Sequence, residues 1–207
     1  MKIHDLTHLI TPGIPVWPGT PQPVLAEGST MERDGFRETR LELFSHVGTH
    51  MDAPAHMLSS GATLDTLPVS AFMGTAWVLD AGGYEGKIPP EALDAFPGAD
   101  FLLVSTGWEA RWSTREYFGA YPTLAAGTVE RALGLGVRGI GLDTMGIDPM
   151  DDLSYENHLL ALGKGCVIVE NLCGLVPLRG KLLRFAALPL KYIDADGAPV
   201  RAVAMEE

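Results

Sequence analysis

Between His46 and His56 the chain reads HVGTHMDAPAH, so eleven residues hold three of its six histidines, an aspartate, a glycine and a proline. Imidazoles and a carboxylate without a thiolate make a nitrogen and oxygen donor set of the kind that suits zinc, manganese or iron(II). The spacing limits how such a set can be assembled. His46, His50, Asp52 and His56 stand at offsets of 0, 4, 6 and 10. A helix would put His46 and His50 on one face but turn Asp52 away from them, and Pro54 would break it. An extended strand would align all four but string them over ~30 Å, too far for one ion. A tight turn brings them together: Gly48 permits positive φ and close backbone approach, and Pro54 stiffens the exit.

Two later residues fit the same chemistry. Glu170 lies inside the apolar run CVIVENL, where a buried carboxylate costs several kcal/mol unless it is paired or binds a cation. The alternatives are an ion pair with Arg184 or exposure at the end of the run. His158, twelve residues earlier, lies in a helix of mixed character and taken alone reads as a solvated helix histidine. With Asp52 offering both oxygens, His158 and Glu170 complete a second metal position. His4 and His8 sit near the first strand, and nothing in the spacing makes them ligands. The acidic stretch DPMDD (148–152) reads as a solvated turn, because it lacks the glycine and spaced oxygens of a calcium loop. ADG (195–197) reads as a hairpin turn.

The elements that must position these groups are mostly strands. Short β-rich runs cover 39–47, 75–82, 101–106, 138–144, 166–172, 182–190 and 198–205. Those at 101 and 166 are nearly continuous in apolar residues, as expected of strands covered on both faces. The LEL alternation before His46 supplies a strand on which the loop hangs. Helical patterns are fewer: 89–96, with proline and acid in its first turn; 123–136, ending in glycine; and 154–163, with Ser154 as N-cap and Gly163 as C-cap. TPGIPVWPGTPQP holds five prolines and cannot be regular structure; such a segment drapes over a surface and is placed to line a pocket. The expected fold class is α/β, a single domain over 1–207 with a mixed sheet and few helices.

Composition narrows the function classes. Hydrophobic residues are 46% of 207, enough for a sizeable core. No apolar run reaches the ~20 residues of a membrane span, and MKIHDLTH lacks the apolar segment of a secretion signal. The formal net charge of −11 opposes nucleic acid and anionic membrane and tolerates bound cations. Two cysteines, Cys166 and Cys173, form neither a disulfide framework nor a zinc motif. A cytoplasmic protein with free thiols is expected.

The run His46-x-Gly48-Thr49-His50-x-Asp52-x-Pro54-x-His56 resembles the signature of the metal-dependent cyclase-type hydrolases, which include bacterial kynurenine formamidases (arylformamidases) and isatin hydrolases. The likeness extends over nearly the whole chain: HDLTHLITPGIPVWPGTP, STGW (105–108), GIGLDTMGID (139–148), ENHLLALGKGCVIVENL and FAALPLKYIDADGAPVRAVA each resemble a family stretch. The resemblance implies a swivelling β/β/α fold, assembled as a homodimer or homotetramer. It implies one zinc on His46, His50 and Asp52, and a second on Asp52, His158 and Glu170. It implies His56 as general acid/base and Trp17 beside the substrate; Trp17 as a surface anchor for the N-terminal segment is the alternative. Thr49 stands where the formamidase branch carries alanine, a departure that touches no ligand.

Three readings follow. The first is a two-zinc hydrolase of an aryl formamide such as N-formyl-L-kynurenine. In it a divalent ion brings the pKa of water towards ~7 and polarises the carbonyl, while His56 moves the proton, worth ~100- to 10,000-fold. The second is a one-metal hydrolase, with manganese, of a cyclic amide such as isatin. The third is a metal-binding protein without activity.

Overall fold

The computed structural model describes residues 1–206. Its strands are β1 (Lys2–Asp5), β2 (Val24–Ser29), β3 (Glu38–Glu42), β4 (His50–Asp52), β5 (Met73–Asp80), β6 (Lys87–Ile88), β7 (Phe101–Ser105), β8 (Thr123–Leu124), β9 (Gly139–Leu142), β10 (Val167–Glu170), β11 (Leu182–Pro189) and β12 (Gly197–Glu206). Three α-helices join them: α1 (Met31–Asp34), α2 (Ala126–Gly134) and α3 (Glu156–Gly163).

Strands β12, β11, β5, β7, β9, β10 and β4 pair in that order, and β4 pairs again with Gly197–Pro199 of β12. The sheet therefore closes into a barrel, with β1 added alongside Val203–Glu206 of β12. The run β5, β7, β9, β10 is parallel and the other pairings are antiparallel. The parallel strands are buried on both faces, as their continuous apolar runs require: every residue of β7, β9 and β10 is buried. Alternation sorts their side chains. Phe101, Leu103, Val167 and Val169 join Phe185 in one core, inside the barrel. Leu102, Val104, Ile140 and Ile168 join the other, under α2 and α3, which contribute Val129, Ala132, Ala161 and Leu162. The architecture is α/β with a mixed sheet and few helices, as the sequence implies, and the closure of the sheet into a barrel is what the structure adds.

Several boundaries differ from the sequence reading. The strand expected over 39–47 stops at Glu42 and pairs only with β2, in a two-stranded ribbon outside the barrel. Every residue of β3 is exposed, so no core holds it to the longer span. The rigid strand next to the histidines is instead β4, three residues long and pinned on both edges. The helix expected at 89–96 is one 3₁₀ turn, Pro90–Leu93. In place of a single helix over 123–136, Thr123 and Leu124 pair with β6 and the helix begins at Ala126. Helix α3 is not capped by Ser154: Tyr155 precedes it in the left-handed region, φ 52°, and the Asp148 carboxylate accepts from the backbone N–H of Asn157 and His158. Gly163 lies within α3 rather than at its C-cap, which is Lys164. The proline-rich segment is irregular through Gln22, as expected.

Just past β9, Asp143 is fully buried and accepts hydrogen bonds from Thr106 N (3.0 Å), Thr106 Oγ1 (2.6 Å) and Gly107 N (2.7 Å). Burial outweighs those bonds and raises its pKa from 3.8 to about 6. The folded state thus holds the proton more tightly than the unfolded chain. That stabilisation is complete below about pH 4 and lost as pH rises through about 6, a change of ~3 kcal/mol at 1.36 kcal/mol per unit. Urea unfolding between pH 4 and 7 should show the wild type losing stability relative to Asp143→Asn across that window; parallel curves would contradict it.

Candidate metal centre

The histidine run is held by a turn, a short strand and a second turn. Gly48 takes φ +64°, which an L side chain rarely adopts. The chain then enters β4, where alternation turns His50 and Asp52 to one face and buries Met51 in the barrel core on the other. A 3₁₀ turn over Pro54–His56, closed by His56 N donating to Ala53 O, swings His56 back over the strand. The His46 and His56 ring centroids end 3.9 Å apart. Residues ten apart in sequence are brought together by folding back at both ends of β4.

Strand register supplies the next group. Glu170 sits opposite His50 across β10 and β4, at the C-terminal end of a parallel strand, and its Oε2 lies 3.5 Å from His50 Nε2. Its Oε1 accepts from Ile147 N at 2.9 Å and lies 3.4 Å from His158 Nε2. His158 reaches in from the first turn of α3. Glu170 faces His50 and His158 rather than Arg184, and His158 is not solvated: both Glu170 and His158 are buried.

Asp52 is the common member. It is 1% exposed. Its Oδ1 lies 2.7 Å from His46 Nδ1 and 3.4 Å from His50 Nε2; its Oδ2 lies 3.8 Å from His158 Nε2 and has no hydrogen-bond partner. Two donor sets converge within 4.8 Å, His46 with Asp52 and His56, and His50 with Asp52 and Glu170. An orphaned, buried carboxylate oxygen is costly, and imidazoles facing it form an oxygen and nitrogen donor set. These residues fit a divalent cation.

Three of the imidazoles show a common feature: one ring nitrogen meets a fixed acceptor and the other faces the carboxylates. His50 Nδ1–H donates to Gly48 O (2.9 Å), His158 Nδ1–H to Asp148 Oδ2 (2.7 Å) and His46 Nε2–H to Asp196 Oδ2 (3.0 Å). Such partners select the tautomer a ligand needs. Burial opposes charge on His46, but Asp52 and Asp196 outweigh it and raise its pKa to about 9. Burial likewise opposes charge on His158, and Asp148, Glu170 and Asp52 raise it to about 10. Burial lowers His56, with repulsion from His46 and His158 adding to it against the pull of Asp52 and Glu170. Burial thus favours the neutral form of His56, opposite to the pull on His46 and His158.

A cavity of about 270 Å³ opens over these groups, walled by Pro15, Val16, Trp17, Met57, Met145 and Tyr155. The proline-rich segment lines it, with Trp17 37% exposed. Thr49 does not: its hydroxyl accepts from His8 N and donates to Asn171 O, tying the N-terminal segment to the end of β10. His4 pairs with Glu206, and His8 stacks on Trp112 at 3.9 Å.

Two residues escaped the sequence reading. Asp148 is not in a solvated turn; it is buried, caps α3 and holds His158. Asp196 does more than turn a hairpin; it meets His46. No local signal existed for Asp148, because Ser154 already offered that helix a cap. None existed for Asp196, whose role depends on strand pairing across 150 residues.

The Cyclase family model matches residues 4–149. The chain belongs to the cyclase family. A kynurenine formamidase from Salinibacter ruber is 31% identical over 208 residues, 98% of this chain and 97% of that protein. The structure of isatin hydrolase A from Ralstonia solanacearum superposes with a TM-score of 0.89 at 25% identity, over 99% of this chain and 92% of the other. A potential metal-dependent hydrolase with cyclase activity gives 0.82 at 26%, over 98% and 96%. The family match ends before His158 and Glu170, which the barrel register and α3 add. Among the described residues no helix is long and apolar enough to cross a membrane.

Replacing Asp148 with alanine frees His158 Nδ1 and should weaken zinc binding about 10- to 100-fold by competition with a chromogenic chelator. The cap lost with it should cost about 0.5–2 kcal/mol of metal-free stability.

Proposed function

We propose that this member of the cyclase family is a metal-dependent amidohydrolase that cleaves an aryl formamide such as N-formyl-L-kynurenine to kynurenine and formate. The observation that carries the reading is Asp52: a buried carboxylate with an unpartnered oxygen, common to two donor sets, beside a neutral histidine and under an apolar cavity. The full-length likeness to a kynurenine formamidase supports the substrate class. In this reading, as the family resemblance implies, His46, His50 and Asp52 hold one zinc and Asp52, His158 and Glu170 a second, a grouping that differs from the converging sets His46–Asp52–His56 and His50–Asp52–Glu170. A divalent cation there acidifies water and polarises the scissile carbonyl. His56, uncharged at neutral pH, takes a proton and returns it to the departing nitrogen. Trp17 and Tyr155 bracket the aromatic ring, and the walls exclude bulk water. The enzyme works in the cytoplasm as a homodimer, a state favoured by the ribbon of β2 and β3, which leaves Leu25, Phe36, Leu41 and Phe44 exposed.

Hydrolysis of isatin with one manganese is the second reading, favoured by the fit to isatin hydrolase A and by a cavity wall in which no described residue is Lys or Arg. A carboxylate-bearing substrate meets no Lys or Arg side chain there.

Purified protein loaded with zinc or manganese should hydrolyse N-formylkynurenine, followed by absorbance beside isatin, and lose activity to EDTA. Two metal ions per chain would match the first reading and one the second. His56→Ala should lower turnover about 100- to 10,000-fold while retaining metal; unchanged turnover would remove His56 from the mechanism, and no turnover of either substrate by the metal-loaded wild type would turn the reading towards another amide, a lactam or a lactone. Light scattering in line with gel filtration should give twice 22.2 kDa.

A further inference from the structure

The start of β12 forms a seat for one histidine ring. His46 lies flat against Gly197, where any Cβ would run into the ring. Gly197 is paired opposite Asp52, so the seat is fixed in register with the carboxylate that His46 must face. Next to it, the Asp196 carboxylate accepts from His46 Nε2 at 3.0 Å and from Ser45 Oγ at 3.3 Å through Oδ2, and from the Tyr192 hydroxyl at 3.3 Å through Oδ1. The backbone carbonyl of Asp196 accepts from Ala53 N at 2.9 Å, which locks it to the strand leaving β4. Its side chain is thus anchored on both sides of the ring that it touches.

We propose that Asp196 and Gly197 are positioning residues that set the ring plane and tautomer of His46, committing Nε2 as the donor and Nδ1 as the metal-facing atom. The pair acts from 150 positions away in sequence. Asp196 differs from the acceptors of His50 and His158 in being half-exposed, so it can be altered without opening the core. A carboxylate gives a stronger acceptor than the backbone carbonyl that holds His50. The inference rests on the metal-binding reading of this centre and is independent of the substrate.

The test is zinc binding, read by competition with a chromogenic chelator, together with the histidine ¹⁵N signals of the zinc-loaded protein. Wild-type protein should show His46 protonated at Nε2 and coordinating through Nδ1. Asp196→Ala should weaken zinc about 10- to 100-fold and mix the two tautomers, while far-UV circular dichroism of the metal-free protein stays as in the wild type. Asp196→Glu, which keeps a carboxylate, should recover part of the affinity. Gly197→Ala should weaken zinc by displacing the ring; if that variant fails to fold, Asp196→Ala carries the test. Wild-type affinity in Asp196→Ala, or coordination by His46 through Nε2, overturns the inference and leaves the metal centre standing. Wild-type protein that binds no zinc overturns both.

Discussion

Asp52 is removed from water, carries a negative charge, and leaves one oxygen without a hydrogen-bond donor. A bare buried carboxylate costs several kcal/mol even after relaxation, so the fold must surround it with compensating groups. It does so with the same three residues that close the barrel. Strand β4 is only His50–Asp52, yet it is the stave that joins β10 to β12. Pairing with β10 delivers Glu170, and pairing with β12 delivers Gly197 and Asp196. Closing the barrel and assembling the centre are one structural event. A register slip of one residue in β4 would turn Asp52 into the apolar core and Met51 into the site.

The surroundings of the histidines come from distant parts of the chain. Gly48 O, Asp148 and Asp196 belong to a turn, a loop before a helix and a hairpin, and each fixes one imidazole. The Asp148 carboxylate has two tasks in one place. It caps α3 through the N–H groups of Asn157 and His158 and binds the His158 ring. Helix position and ligand orientation are therefore coupled, because the acceptor that starts the helix also aims its histidine.

Much of this was legible in the sequence, and the limits have physical causes. The density of donors in HVGTHMDAPAH, with Gly48 and Pro54 between them, signalled a gathering turn, and Gly48 does take positive φ. The apolar run around Glu170 signalled burial, and it is buried. Both signals are local, so composition over a few residues carries them. The strand β4 was not legible: three residues have no periodicity, and they are a strand only because two neighbours pair with them. The LEL alternation misled for the converse reason, since alternation without a core behind it makes an exposed ribbon. Asp148 and Asp196 looked like ordinary turn aspartates. What distinguishes them is which side chain lies opposite, and that is a property of tertiary pairing.

The six histidines divide by environment more than by position. His46 and His158 face carboxylates and are drawn towards the charged form; His56 sits among them, half-buried and beside two rings that repel its proton. A cation occupying the carboxylates would remove the attraction that charges His46 and His158, leaving them as neutral donors held in fixed tautomers. The same cation would add a further positive charge near His56 and hold it more firmly neutral. In the proposed reading, ligand and proton carrier are separated by environment. The rings whose charge Asp52 favours would bind the metal, and the ring tilted 3.9 Å from His46, with no carboxylate hydrogen bond of its own, would exchange the proton. His56 Nδ1 is 4.0 Å from Asp196 Oδ2, beyond hydrogen-bond distance, and in the proposed reading that gap would leave the ring free to meet a substrate in the cavity above.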